Sequence, residues 1–88
     1  MVRKRVLVSG FVQGVFFRET CRRVAAEHGV AGWVRNLRDG RVEAVFEGQP
    51  DVVDRLVAWA HQGPRGAEVA DVAVSNEPPE GLTGFTVR

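Results

Sequence analysis

The sequence predicts one α/β (α+β) domain in which two helices cover one face of an antiparallel sheet. Its 88 residues are too few for two independent cores, so we expect residues 1–88 to form a single domain. Apolar residues make up 44% and charged residues 26%, which is typical of a folded globular protein rather than a disordered chain. The hydrophobic pattern alternates between strand-like and helix-like segments in the order β-α-β-β-α-β.

The first strand and the first helix are predicted within residues 3–29. Arg3–Gly10 contains an apolar, β-branched run that ends at a glycine, as in a short buried strand. From Arg18 to His28 apolar positions recur at three- and four-residue steps, which favours an amphipathic helix. The stripe comprises Phe17, Cys21, Val24, Ala25 and His28. Gly29 follows as a left-handed helix cap.

The next two strands are predicted at Val30–Asn36 and Val42–Glu47. Asp39 and Gly40 lie between them, and this pair is a strong hairpin signal because both residues tolerate the positive φ of a tight turn. We therefore expect an antiparallel hairpin. In its second strand Val42, Ala44 and Phe46 share one face, and Glu43 and Glu47 share the other. We expect the face that carries the glutamates to be mostly solvated.

The second half of the chain predicts one helix and two strands. Pro50 suits a first helical position, and an apolar stripe at helical spacing follows until Gly63 and Pro64 end the helix. Glu68–Ser75 returns to strand character, and Phe85–Arg88 adds a short C-terminal edge strand. This order of elements corresponds to the ferredoxin-like fold, a split β-α-β arrangement.

Charge and cysteine content restrict the function. The net charge of +1 gives no strong overall field, so nothing indicates a nucleic-acid partner or a membrane surface. Cys21 is the only cysteine, which excludes an internal disulfide and a multi-cysteine metal site. Because it lies on the apolar stripe of the first helix, a buried position is favoured over a nucleophile. We expect neither a metal nor a cofactor.

The N-terminus carries no targeting signal that we recognise. Met1–Arg5 is basic, but the apolar run Val6–Val8 that follows is interrupted at once by Ser9 and Gly10. We expect no signal peptide and no membrane span, and we expect a cytoplasmic protein.

The loop before the first helix is the most informative segment. Residues 10–18 read Gly-Phe-Val-Gln-Gly-Val-Phe-Phe-Arg and run directly into a helix, whose unpaired amides can bind an anion. Two glycines before a helix are common, however, and this is neither a Walker loop nor a Rossmann fingerprint. Arg18 favours anion binding by this loop, because the helix dipole disfavours a cation at a helix N-terminus unless a bound anion compensates. The alternative is a solvated arginine whose alkyl stem covers the helix.

Two long motifs resemble those of the acylphosphatase family. Gly10–Arg18 is similar to the family pattern of glycine, any residue, Val-Gln-Gly-Val, any residue, Phe-Arg. Gly32–Glu43 resembles Gly-Trp-Val-Arg-Asn, two residues, Asp-Gly, one residue, Val-Glu. Gly63-Pro64 followed by Ala67 and Val69, and the terminal Phe85–Val87, are also similar, so the resemblance spans the chain. Phe11 departs from the family, which often has arginine there, and we expect an effect on substrate preference or local charge only.

The resemblance implies a hydrolase that splits acyl phosphates into a carboxylate and inorganic phosphate. We expect inorganic phosphate to inhibit competitively as well, because it presents the same oxygens to the loop. The resemblance places the catalytic arginine on Arg18 and the water-orienting asparagine on Asn36. The substrate-binding loop comprises Gln13, Gly14, Val15, Phe16, Phe17 and Arg18, acting mainly through backbone amides. Without the motif, a structural role for Asn36 is favoured, in which its side chain forms a hydrogen bond with nearby backbone at the end of the strand.

This chemistry fits the absence of an obvious Ser-His-Asp set or acidic pair. A carboxylate leaving group, with a pKa near ~4–5, needs little protonation, so a general acid is dispensable. We further expect Phe16 and Phe17 to anchor the loop against the core. His28 and His61 each lie near a helix C-terminus and lack metal-ligand spacing.

Two other functions are compatible with the topology. RNA-binding modules of this fold need exposed aromatics on central strands, but the first strand has none and Glu43 and Glu47 face outward. A noncatalytic binding domain is the second alternative, since fold alone does not assign function. The presence of both Arg18 and Asn36 favours the enzyme. We expect a monomer, although the sequence itself does not decide between monomer and dimer.

Overall fold

A computed structural model describes residues 1–88 and confirms the predicted order of elements, including the short strand at the C-terminus. Each boundary lies within two residues of its prediction. The elements are β1 (Val2–Phe11), α1 (Phe17–Glu27), β2 (Ala31–Asn36), β3 (Val42–Gly48), α2 (Pro50–Gln62), β4 (Glu68–Glu77) and β5 (Phe85–Val87).

The five strands form one sheet in the order β4-β1-β3-β2-β5. β1 lies between β3 and β4 and is antiparallel to both, and β2 is antiparallel to β3. β5 occupies the predicted edge position but runs parallel to β2, so the predicted fold is confirmed with a sheet that is mixed rather than strictly antiparallel. The reason is that the chain crosses from one sheet edge to the other after β4 and reverses direction as it does so.

The hydrophobic core lies between the two helices and one face of the sheet. The sheet contributes Val6, Val8, Val34, Val42, Ala44 and Phe46, and the helices contribute Phe17, Cys21, Ala25, Val53, Leu56 and Ala60. The alternation predicted for β3 is therefore confirmed on this face. Burying a Val, Leu or Phe side chain stabilises a fold by about 1.5–3 kcal/mol, so this cluster dominates the stability.

The hairpin between β2 and β3 forms as predicted, with one difference in its turn. Gly40 has a φ of 96°, but Asp39 does not take a positive φ. Instead the Asp39 carboxylate accepts a hydrogen bond from the Arg41 amide at 3.1 Å and a second from the Arg41 guanidinium. The Leu37 amide donates to the Arg41 carbonyl at 2.8 Å, which closes the hairpin.

On the opposite sheet face the central strand β3 is buried, contrary to the expectation that its glutamates are solvated, whereas β4 at the edge is largely exposed. Glu43 is only 3% exposed, because Arg5 and Arg35 from the neighbouring strands donate hydrogen bonds to its carboxylate at 2.5 and 2.6 Å. Burial alone would raise its pKa, but the two guanidinium groups outweigh burial and lower it. Long arginine side chains cover the carboxylate, and sequence alternation alone does not show this cover.

Glu47 is 1% exposed and ties the crossing segment to the same face. Its carboxylate accepts the backbone N–H groups of Glu80 at 2.8 Å and Leu82 at 2.7 Å, and Arg3 lies 3.8 Å away. Burial would raise the pKa of Glu47, but these donors lower it below its ordinary value. The segment that leads to β5 is thereby fixed over the sheet.

Neither helix has the length and apolar character that crossing a lipid bilayer requires.

Replacing Glu47 tests how strongly this contact stabilises the fold. Glu47→Gln should lower the free energy of unfolding by about 2 kcal/mol at about pH 7, because two hydrogen bonds lose their charge assistance. The folded-state pKa lies below the unfolded value near 4.5, so the stabilisation is present above the unfolded pKa and is lost as pH falls through the folded one. Urea denaturation at several pH values measures this.

Glu68→Gln is the matched control, since Glu68 is exposed and forms no ion pair. It should change the stability by less than about 0.5 kcal/mol. Equal stability of Glu47→Gln and the unmodified protein at about pH 7 would contradict the assigned role.

Candidate active site

A cleft of about 490 Å³ opens where β1, β2 and β5 end and α1 begins. Its lining combines the loop after β1 with the ends of two strands. The lining residues are Val12, Gly14, Phe16, Phe17, Arg18, Glu19, Asn36 and Val87. Arg18 and Asn36 lie 18 residues apart in the sequence, and the fold brings both to one cavity. The size is within the range of small-molecule sites.

Gly10 lets the chain leave β1 toward this cleft. The pairing of β1 with β4 shifts between Ser9 and Gly10, as in a β-bulge. Gly10 has a φ of 122°, and a Cβ there would lie 2.2 Å from the Glu68 carbonyl oxygen. Only glycine allows this backbone conformation and this close approach of β4.

The N-terminus of α1 has no side-chain cap. Phe16 occupies the N-cap position in the left-handed conformation, with a φ of 60°, and its side chain cannot accept a hydrogen bond. No protein carbonyl or side chain accepts the backbone N–H groups of residues 13–16. The first turn of a helix adds unpaired N–H groups and a partial positive charge. The loop and helix start are therefore well suited to bind an anion.

Arg18 is exposed in the first turn of α1 and forms no ion pair with a carboxylate. Its neighbour Glu19 also lines the cleft but pairs with Arg22, and the hydrogen bond from Arg22 lowers the pKa of Glu19. The negative charge at the rim is thus already paired. The guanidinium of Arg18 remains free to bind an anion in the cleft.

Asn36 is the last residue of β2 and pairs with Val42 of β3. Its side-chain oxygen Oδ1 is buried and has no hydrogen-bond partner in the protein. The structural alternative for Asn36, a bond to backbone before the hairpin, is not observed, and Asp39 makes that type of contact instead. A buried amide oxygen without a partner is energetically unfavourable unless a bound molecule satisfies it.

A sequence model of the acylphosphatase family matches residues 4–87. The chain belongs to the acylphosphatase family. Its relatives include the acylphosphatase of Haloquadratum walsbyi, 58% identical over 86 residues that cover 98% of this chain and 92% of that protein. The acylphosphatase of Rubrobacter xylanophilus is 60% identical over 87 residues, which cover 98% and 79%.

Solved acylphosphatase structures agree with the fold. The crystal structure from Bacillus subtilis has a TM-score of 0.96 at 35% identity and covers 100% of this chain and 99% of that chain. The structure from Coxiella burnetii has a TM-score of 0.95 at 42% identity, covering 99% and 92%. Hydrolysis of acyl phosphates, the activity expected from the two motifs, is confirmed by this membership.

The two phenylalanines of the acylphosphatase loop differ from each other. Phe17 is 2% exposed, and its ring packs 5.0 Å from that of Trp59, so it anchors the loop as expected. Phe16 is 81% exposed at the rim of the cleft, and the expectation that it anchors the loop is wrong. Its backbone takes the left-handed conformation. Phe11 is also exposed but does not line the cleft.

The side chain of Gln13 makes a contact that the sequence did not indicate. Its Nε2 donates to the carbonyl oxygens of Leu37 at 2.7 Å and Arg41 at 3.0 Å. Because the partners are backbone atoms of a distant segment, no residue type signals this contact. Of the other predicted loop residues, Gly14 lines the cleft and Val15 packs against the core.

No group of three or more His, Cys, Asp or Glu side chains is placed to hold a metal ion. Cys21 is buried on the core side of α1, and burial raises the pKa of its thiol, which disfavours the reactive thiolate. The Nδ1 atoms of His28 and His61 each contact a backbone carbonyl of their own helix at 2.9 Å. These residues therefore have structural roles, as the sequence indicated.

The geometry at Gly10 leads to a stability prediction. Gly10→Ala should destabilise the acylphosphatase by at least about 3 kcal/mol, because the new Cβ meets β4 backbone and the φ is unfavourable. Gly14→Ala is the matched control, since Gly14 also has a positive φ, 76°, but nothing lies within 4 Å of its Cβ position. It should cost only about 1 kcal/mol. Urea denaturation that gave both variants the same stability would show that β4 does not restrict this loop.

Proposed function

We propose that this acylphosphatase binds the phosphate of its substrate with Arg18 and the loop amides of residues 13–18, while Asn36 holds the attacking water. The proposal rests on one observation: two side chains without partners line the same cleft. Arg18 has no carboxylate partner, Asn36 Oδ1 has no hydrogen-bond partner, and both line the same cavity beside an uncapped helix start.

Phosphate binding rests on charge and donor geometry. A planar guanidinium can donate two hydrogen bonds to neighbouring phosphate oxygens, and the loop amides can donate to the others. The partial positive charge at the start of α1 acts in the same direction. Phosphoryl transfer depends mainly on such positioning and charge stabilisation, so these groups suffice without a metal or cofactor.

Water binding rests on the amide of Asn36. Its Oδ1 can accept a hydrogen bond from the water and its Nδ2 can donate one, so the side chain can orient a lone pair toward phosphorus. In the step itself the water oxygen bonds to phosphorus and the phosphorus–oxygen bond to the acyl group breaks. The bonding electrons leave with the carboxylate, and a phosphate oxygen of the substrate takes the water proton.

Four further properties belong to this proposal. Residues 1–88 act as one domain with a single core, and they act as a monomer, for which the site needs no second copy because the loop, Arg18 and Asn36 lie in one chain. Inorganic phosphate inhibits, because it presents the same oxygens as the substrate. A single buried cysteine supports a cytoplasmic location.

Substitution of Arg18 should weaken phosphate binding and lower turnover. Arg18→Ala should raise KM and lower kcat for benzoyl phosphate, since the guanidinium contacts phosphate before and during the reaction. Arg18→Lys should also be poor, because an ammonium group lacks the two-pronged grip. Steady-state kinetics with phosphate as a competitive inhibitor measures both effects.

Arg23→Ala is the charge-matched control, since Arg23 is exposed on the same helix but does not line the cleft. It should retain kcat and phosphate inhibition. An Arg18→Ala variant with unchanged phosphate inhibition would exclude Arg18 from the phosphate site.

Substitution of Asn36 should lower turnover without weakening phosphate binding. Asn36→Ala should lower kcat by about 10²- to 10⁴-fold, the scale for one positioned catalytic group, while the inhibition constant of phosphate stays nearly the same. Asn76→Ala on the exposed edge strand β4 is the control and should leave kcat unchanged. If Asn36→Ala weakened phosphate binding in step with kcat, Asn36 would belong to the phosphate site rather than to the water.

A further inference from the structure

The side-chain amide of Gln13 links two parts of the site that are distant in sequence. Nε2 donates to Leu37 O at 2.7 Å and to Arg41 O at 3.0 Å. A carboxamide nitrogen has two N–H groups, and both are used here. Since both partners are carbonyl acceptors, the nitrogen rather than the oxygen must face them.

The two acceptors close the hairpin that carries Asn36. The Leu37 amide donates to Arg41 O at 2.8 Å, and Leu37 directly follows Asn36 in the chain. Gln13 itself lies outside the sheet, because β1 ends at Phe11. Gln13 therefore contacts the hairpin immediately beside the residue that holds the water.

No other hydrogen bond joins the loop to the hairpin. The pairing of β1 with β3 ends at Val8 and Val42. Beyond that pair, no backbone hydrogen bond connects residues 12–16 with residues 37–41. The Gln13 side chain is the single polar connection across this gap.

We infer that Gln13 is a positioning residue whose side chain sets the distance between the phosphate-binding loop and Asn36. This inference rests on the proposed function, in which the loop holds phosphate and Asn36 holds water. In-line attack needs the reacting atoms about 3–3.5 Å apart, and a shift of about 1 Å can reduce the rate 10²-fold. Two chain segments that meet only through apolar packing would not fix that distance as well as two directional hydrogen bonds do.

The side chain and the backbone amide of Gln13 have different roles. The backbone amide belongs to the phosphate-binding loop and remains in any variant, whereas the carboxamide points to the hairpin. Loss of the carboxamide should therefore move Asn36 relative to phosphate without weakening phosphate binding. Its effect on turnover should exist only while Asn36 is present.

A double-mutant cycle tests this dependence. Gln13→Met keeps the length of the side chain but removes both donors, and it should lower kcat for benzoyl phosphate by about 10- to 100-fold. The inhibition constant of phosphate should change by less than about threefold. In the Asn36→Ala background the same substitution should lower kcat by less than about twofold, because its effect passes through Asn36.

Asp39→Ala is the control for general loosening of the hairpin, since it removes two hydrogen bonds to Arg41 without touching the loop. It should leave kcat nearly unchanged. Gln13→Glu is the second Gln13 variant, because a carboxylate beside two carbonyl oxygens repels them, and its loss of kcat should be at least as large. Circular dichroism checks that each variant is folded, and the NMR shifts of the Leu37 and Arg41 amides report the hairpin directly in any that is.

Several outcomes would overturn the inference. Equal losses of kcat from Gln13→Met with and without Asn36 would show that Gln13 acts independently of Asn36. A loss of phosphate inhibition in step with kcat would place the side chain in phosphate binding. Failure of the proposed function is distinguishable, because then Asn36→Ala alone would leave kcat unchanged.

Discussion

The register of the sheet at Val42 is the constraint on which the site depends. Val42 is fully buried and pairs with Val8 of β1 on one side and with Asn36 of β2 on the other. Val8 precedes the exit at Gly10, so one buried residue fixes both the start of the proposed phosphate-binding loop and the position of Asn36. A slip of one residue in either pairing would turn Asn36 to the opposite face of the sheet and away from the cleft. Core packing of β3 thus determines the position of Asn36 relative to the loop after β1.

The opposite sheet face supports this arrangement with charged groups. Glu43 and Glu47 alternate with the core residues of β3, and each is buried under arginines or backbone N–H groups. Removing one partner of a buried charged contact is costlier than losing an exposed pair, so these contacts favour a single register. Glu47 also holds the segment that leads into β5, whose last residue, Val87, lines the cleft. The polar face and the site are therefore connected through the fold.

Periodicity and turn signals predicted the elements because they report local preferences. The helix stripes, the Asp-Gly hairpin and the edge position of β5 follow from residue type and spacing, and the motif around Arg18 and Asn36 indicated which residues the fold would bring together. Contacts between distant segments were not predictable. The burial of Glu47, the exposure of Phe16 and the bonds of Gln13 to the hairpin depend on backbone placed by the tertiary fold, which no residue pattern encodes.

The central claim is that phosphate binds at the uncapped start of α1, held by Arg18 and the loop amides. An NMR titration with inorganic phosphate, following the backbone amides and the arginine Nε–H groups, tests it most directly. The account predicts saturable shifts concentrated in residues 13–18 and in the Arg18 side chain, and nearly the same affinity in the Asn36→Ala variant. Shifts that concentrated at another arginine, or that left residues 13–18 unchanged, would contradict it.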